Sequence, residues 1–156
     1  GAGADILTGG AGADTLTGGA GADTFVNADI DNNGTDSIND FTTTVDNITL
    51  SIADLNALTG AATFTAGAGG VAAQGGAFLQ IIATDGAGAA TAAATGGAGT
   101  FIYDSNTGNV IFDASGDTTF TDDGTGFTDA NADDIVFADL VAGLGTIVDG
   151  DFLFIA

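Results

Sequence analysis

The chain reads as an all-β protein: a stack of short coils that continues into a longer strand-rich region. Near-identical nine-residue units open the chain, and further on short apolar runs alternate with clusters of turn-forming residues. Helix start and stop signals flank a single short stretch, so at most one short helix is expected.

The opening unit, Gly1-Ala-Gly3-Ala-Asp5-Ile-Leu7-Thr8, is followed by GGAGADTLT from Gly9 and GGAGADTFV from Gly18. The second and third are in register, and the first lacks only its leading glycine. Glycine lets the backbone turn tightly and aims carbonyl oxygens inward. Asp5, Asp14 and Asp23 supply carboxylates, and Leu7, Leu16 and Phe25 point into a thin apolar core. Such oxygen-only donor sets suit calcium, which accepts about six to eight irregularly placed oxygens, and they disfavour zinc. Beyond Val26 the unit decays. Asp36-Ser-Ile38-Asn39 and Asp46-Asn-Ile48-Thr49 keep the Asp-x-apolar ending, the first after Gly34 and the second without glycine. They read as degenerate outer turns, atypical because terminal coils close a stacked core.

Between these units, Asp29-Ile-Asp31-Asn-Asn33-Gly34 spaces oxygen donors by two ahead of a glycine, the local pattern of a calcium loop, with Asp40 at the twelfth place. An ordinary polar turn uses the same residue types. Neither flank reads as a helix, so the coordination logic carries over without the helix-flanked fold.

After residue 50 the elements follow in order. Ser51 to Leu58 is the helix candidate, with Ser51 as N-cap, Asp54 at the third helical position and Gly60 past the end. Residues 60–76 and 85–99 are rich in Ala, Gly and Thr; Phe64, Val71 and the run from Ala77 to Ala83 favour strands there. Phe101–Tyr103 and Val110–Phe112 flank a run of turn-formers from Asp104 to Asn109 and read as a hairpin. An acidic loop then runs from Asp113 and Asp117 through Asp122, Asp123 and Asp129 to Asp133 and Asp134. Within it, Asp129-Ala-Asn131-Ala-Asp133 again spaces donors by two. Strands are expected at Ile135–Phe137 and Phe152–Ile155. The organisation expected is a coil region over 1–50 and a β-rich region over 51–156.

Composition narrows the function. Of 156 residues none is Lys, Arg or His, and all 21 acidic residues are Asp, giving a formal charge of -21 that only cations from solution can neutralise. Compaction is therefore expected to depend on divalent metal and ionic strength. Disorder is the bland reading of such acidity, and the positive mean hydropathy of +0.38 argues against it. Without basic residues the chain cannot neutralise phosphates, which excludes nucleic-acid partners and disfavours anionic lipid surfaces. There is no Cys for a disulfide, no apolar run of the ~20 residues a spanning helix needs, and no leader pattern at Gly1. Opening in mid-repeat, the chain looks like a processed product or a portion of something longer.

The nonapeptides resemble the repeat-in-toxin motif G-G-x-G-x-D-x-U-x, with U a large apolar residue. GTFIYDSNTGNVIFDASGD, followed by IVFADL and DFLFIA, is similar to the carboxyl-terminal region of that family's exoproteins, and DTFVNADIDNNGTDSINDF resembles the bridge between their β-roll and that region. The resemblance implies a parallel β-roll leading into a β-sandwich-like or β-rich region, with several Ca2+ ions held between loops on the same side of successive turns. For the sites it implies carboxylate ligands at Asp5, Asp14 and Asp23 with carbonyls of Gly1, Gly3, Gly10, Gly12, Gly19 and Gly21, and continuations at Asp36 and Asp46. Asp29, Asp31, Asn33, Asp40, Asp113, Asp117, Asp129 and Asp133 are further metal candidates on spacing alone. The resemblance also implies a type I-secreted, extracellular or cell-surface protein that folds on meeting external calcium. The Ala/Gly-rich middle, the acidic insert after Asp117 and the loss of basic residues depart from the family.

Catalysis lacks its usual parts. His, Cys, Lys, Arg and Glu are all missing, and no Ser has an activating partner, so no enzyme is expected. Three readings remain: a self-assembling extracellular structural subunit of a surface layer or filament, a calcium-binding export and folding module of a larger adhesin or hydrolase, and a ligand-binding module such as an ice- or sugar-binding repeat. The first is preferred, because acidic subunits associate only with ions between them and the ends of a short roll present unpaired strand edges. The partners expected are calcium ions, further copies of the chain in a homo-oligomer or polymer, and a cell-surface polysaccharide.

Overall fold

A computed structural model describes residues 1–59, 79–82, 99–104, 107–114, 120–122, 127–129, 134–140 and 147–155. The strands expected around Phe64 and Val71, most of the 85–99 stretch, and Asp117, Asn131 and Asp133 lie outside the described residues.

Each loop ending in an aspartate, the first four of them glycine-bearing, delivers the chain into a short strand: β1 (Ile6–Thr8), β2 (Thr15–Leu16), β3 (Thr24–Asn27), β4 (Asp36–Ile38) and β5 (Asn47–Ser51). Successive strands alternate between two sheets. In one, β1, β3 and β5 pair in parallel; in the other, β2 and β4 do so. Ile6 lies opposite Thr24, two nonapeptides along, so one full coil is two repeats. The later coils are longer, with Thr15 opposite Ser37 and Thr24 opposite Asn47, because the loops before β4 and β5 are wider. Strand alternation then sends Phe25 and Ile48 inward, where both are buried, with Leu7 and Leu16 packed against the same core.

Helix α1 (Ile52–Thr59) follows β5 directly. The Asp54 amide donates to Ser51 Oγ at 3.3 Å, the expected N-cap, and Leu55 anchors the helix in the core. Strands β6 (Leu79–Ile82), β7 (Thr100–Asp104) and β8 (Asn109–Asp113) come next, with β7 and β8 forming the expected antiparallel hairpin in the register Phe101↔Phe112. The acidic stretch expected to be loop carries a small antiparallel pair, β9 (Phe120–Asp122) on β10 (Phe127–Asp129). Both are Phe-Thr-Asp, and an aromatic followed by a β-branched residue favours extended pairing over a solvated loop.

The last two strands return to the coils. β11 (Asp134–Asp139) lies parallel to β4, with Ala138 opposite Asp36, and antiparallel to β8. β12 (Phe152–Ile155) lies parallel to β5, with Phe152 opposite Ile48. The alternation between sheets broken off after β5 is thereby resumed by β11 and β12. The units at Asp36 and Asp46 are consequently not outer turns: each is covered by a further strand, which satisfies backbone groups that a bare edge would leave unpaired. The finished sheets run β1-β3-β5-β12 and β2-β4-β11-β8-β7-β6. One apolar core spans coils and C-terminal strands, with the Phe101 ring 4.9 Å from Phe112, 5.4 Å from Phe152 and 5.9 Å from Phe137. The fold is all-β in parallel and mixed sheets, with one short helix and no closed barrel among the described residues.

Candidate metal centre

Five loops, each ending in an aspartate, stack in two columns. One column holds the loops ending at Asp5, Asp23 and Asp46, and the other those ending at Asp14 and Asp36. Within a column, each later carboxylate accepts from the aspartate amide one coil earlier: Asp23 Oδ1 from Asp5 N at 2.9 Å, Asp46 Oδ1 from Asp23 N at 2.9 Å, and Asp36 Oδ1 from Asp14 N at 3.0 Å. The residue two places before each aspartate has a left-handed backbone, at Gly3, Gly12, Gly21, Gly34 and Thr44. Four are glycine, which adopts it freely; the β-branched Thr44, at φ 65, bears a cost of roughly 1–2 kcal/mol.

Stacking is close enough to exclude side chains. A methyl group on Gly19 or Gly21 would collide with the carbonyl oxygen of Gly1 or Gly3 directly across the column. The leading glycines open onto the carboxylates: a methyl group on Gly18 would fall on Asp23 Oδ2, and one on Gly9 would lie 2.9 Å from Asp36 Oδ2 and 3.0 Å from Asp14 Oδ2. Asp23 is 1 % exposed, yet its Oδ2 has no hydrogen-bond partner. A buried carboxylate oxygen left so is costly unless a cation meets it. Burial pushes the Asp36 carboxyl above the ordinary carboxylate range; the Asp14 amide opposes that shift and the Asp14 charge adds to it. The donors are all oxygen and the cradles lack Cβ atoms, so the residues present fit calcium.

The spacing candidates divide. Asp29 and Asp31 meet Asp54 from the first turn of α1, with carboxylate oxygens within 4.8 Å of one another. Asp54 Oδ2 also accepts from Ile30 N at 2.9 Å. Burial raises the Asp54 carboxyl despite that amide, and the Asp29 charge raises it further. A hydrogen bond between Asp29 and Asp31 lowers the former and raises the latter. Asn33 instead donates to Asn27 Oδ1 at 3.3 Å, and Asp40 turns to the amides of Gly18 and Gly19 at 2.9 and 2.7 Å. Asp113 is buried at the end of β8, and Asp129 ends β10. Sequence reasoning passed over Gly9, Gly18 and Asp54 as site residues. The repeated Gly-Gly pair was a signal for the first two; Asp54 had none beyond its place in a helix start.

Stacked Gly/Asp loops joined by short parallel strands around a thin core define a calcium-binding β-roll. Residues 1–28 match the family model of the RTX calcium-binding nonapeptide repeat, a model that spans four copies of the repeat. This segment is an RTX repeat array, and such repeats bind several calcium ions and mark calcium-binding proteins of the type I secretion class. No curated protein matches the chain.

Proposed function

We propose that the protein is a non-enzymatic, type I-exported extracellular protein whose roll sets when calcium fills the loops, and that its working form is a self-assembling structural subunit. The ligands proposed are the carboxylates of Asp5, Asp14 and Asp23, continued by Asp36 and Asp46, with carbonyls from Gly1, Gly3, Gly10, Gly12, Gly19 and Gly21. The observation that carries the calcium step is the buried, unpartnered Asp23 Oδ2 beneath Gly18. Calcium there supplies positive charge and several oxygen-coordination bonds at once; the glycines keep the cradle open, and the aspartate amides orient the carboxylates.

The charge of -21 supports a calcium-gated assembly. At cytosolic calcium the chain repels itself and stays threadable, and at millimolar calcium the same ions that lock the loops allow close approach of copies. Light scattering and circular dichroism in calcium, then in chelator, test this. Multimers and β structure that both vanish on chelation are expected. Size and spectrum indifferent to chelation would refute it. A second reading, the export and folding module of a larger protein, is supported by the pairing of β11 with β4 and of β12 with β5, which joins the chain's last strands to the sheets of the roll. A calcium-folded species that stays monomeric at all concentrations would select it.

A further inference from the structure

We propose that Asp151 is a positioning residue for the calcium loops: its carboxylate holds Thr44 in the backbone conformation that glycine supplies in the other four loops. The inference rests on the calcium reading of those loops and adds a residue from the far end of the chain.

The loop ending at Asp46 is Asp40-Phe-Thr-Thr-Thr44-Val-Asp46 and contains no glycine. Even so, Thr44 adopts the left-handed backbone at the position where Gly3, Gly12, Gly21 and Gly34 adopt it. A β-branched residue does not stay there without outside support. The support is visible. The Thr44 amide donates to Asp151 Oδ1 at 2.7 Å, and Asp151 Oδ2 accepts from Val148 N at 3.0 Å within its own turn. Asp151 is 1 % exposed and both its oxygens are occupied by amides, so it is fixed in place. Its turn, Asp149–Asp151, leads into β12, which pairs with β5 immediately after the supported loop.

The effect reaches the metal cradle through two more bonds. With Thr44 held, the loop closes so that Asp46 Oδ2 accepts from Thr42 N at 2.7 Å and Asp46 Oδ1 from Asp23 N at 2.9 Å. Asp23 is the residue whose Oδ2 faces the cradle under Gly18. Docking of the C-terminal turn therefore replaces a missing glycine and completes the column Asp5–Asp23–Asp46. The column's affinity for calcium is thereby linked to the last turn of the chain.

Asp151→Ala, Thr44→Gly and the double variant test this on the full chain, with calcium uptake by titration calorimetry and amide hydrogen exchange at Thr44. Asp151→Ala is expected to weaken calcium uptake about tenfold, the scale of one charge-assisted hydrogen bond, and to speed Thr44 exchange. Adding Thr44→Gly should restore affinity, because glycine holds the turn unaided. Unchanged affinity and exchange in Asp151→Ala overturns the proposal, as does a loss that Thr44→Gly fails to restore. If Asp151→Ala does not fold, the double variant must fold and bind, and its failure overturns the proposal equally. Should the unaltered chain take up no calcium, the loop reading fails instead, and the Thr44 exchange in chelator alone decides the role of Asp151.

Discussion

Replacing Asp23 by Asn should change sign with calcium. The substitution keeps the shape of the side chain and the oxygen that accepts from Asp5 N at 2.9 Å, and it removes the charge at Oδ2, the buried oxygen without a partner. In calcium a ligand charge is lost. A tenfold loss of affinity, about 1.4 kcal/mol, is the least expected, and it appears as lower stability wherever calcium is limiting. Without calcium a buried unpaired charge is relieved, worth about 1–3 kcal/mol, less the similar cost of an amide N–H that finds no acceptor, so a net gain of up to about 1 kcal/mol. Denaturant unfolding followed by circular dichroism reads both arms. The calcium-free arm is run in about 1 M NaCl, where screening to about 3 Å lets the compact state persist. Destabilisation of the same size in both arms would mean that Asp23 serves only as a hydrogen-bonding spacer, and the reasoning would be refuted.

Two further outcomes follow from the same geometry. Gly21→Ala should lower the melting temperature well beyond Gly10→Ala. Both positions have left-handed backbones, costing roughly 1–2 kcal/mol each, but only at Gly21 does the added carbon strike backbone, the Gly3 carbonyl, while Gly10 faces open space; equal melting shifts would contradict the stacked column. In chelator, acidification should favour the folded chain. Asp36 and Asp54 have folded carboxyls raised above the ordinary 3.8 mainly by burial, so each contributes stability that is fully present below about pH 3.8 and lost as pH rises through its raised value. A pH titration of the β signal checks this, and Asp36→Asn should flatten part of the slope; a calcium-free signal that weakens on acidification would contradict it.

Much of the architecture was legible because it is local. Nonapeptides with Gly before and an apolar residue after each Asp specify a loop and a strand; β1 to β4 fall on Ile6, Thr15, Thr24 and Asp36 as that pattern requires, and β5 follows the glycine-free unit at Asp46 through its Asp-x-apolar ending. Ser51 and Asp54 announced α1, and the turn-formers between Tyr103 and Val110 announced the β7–β8 hairpin. What stayed hidden depends on contacts far apart in sequence. Nothing in IVFADL or DFLFIA says that these strands resume the coil alternation beside β4 and β5, since parallel pairing leaves no turn to read. The site divides in the same way. The carboxylates of Asp5, Asp14, Asp23, Asp36 and Asp46 follow from the repeat. Counting along a calcium loop points to Asp40, whereas the folded chain sends it to the Gly18 and Gly19 amides and brings Asp54 to Asp29 and Asp31. Aligning residues 42–46 with the glycine-bearing loops marks Thr44 as the residue out of place; only the fold reveals that Asp151 supports it.

The most direct test of calcium as the cement of the roll is a crystal structure grown in calcium, with anomalous difference maps identifying the ions. Calcium density is expected between stacked loops, within reach of Asp23 Oδ2 in one column and of Asp14 and Asp36 in the other. Fully ordered loops with no ion density at those carboxylates would contradict it.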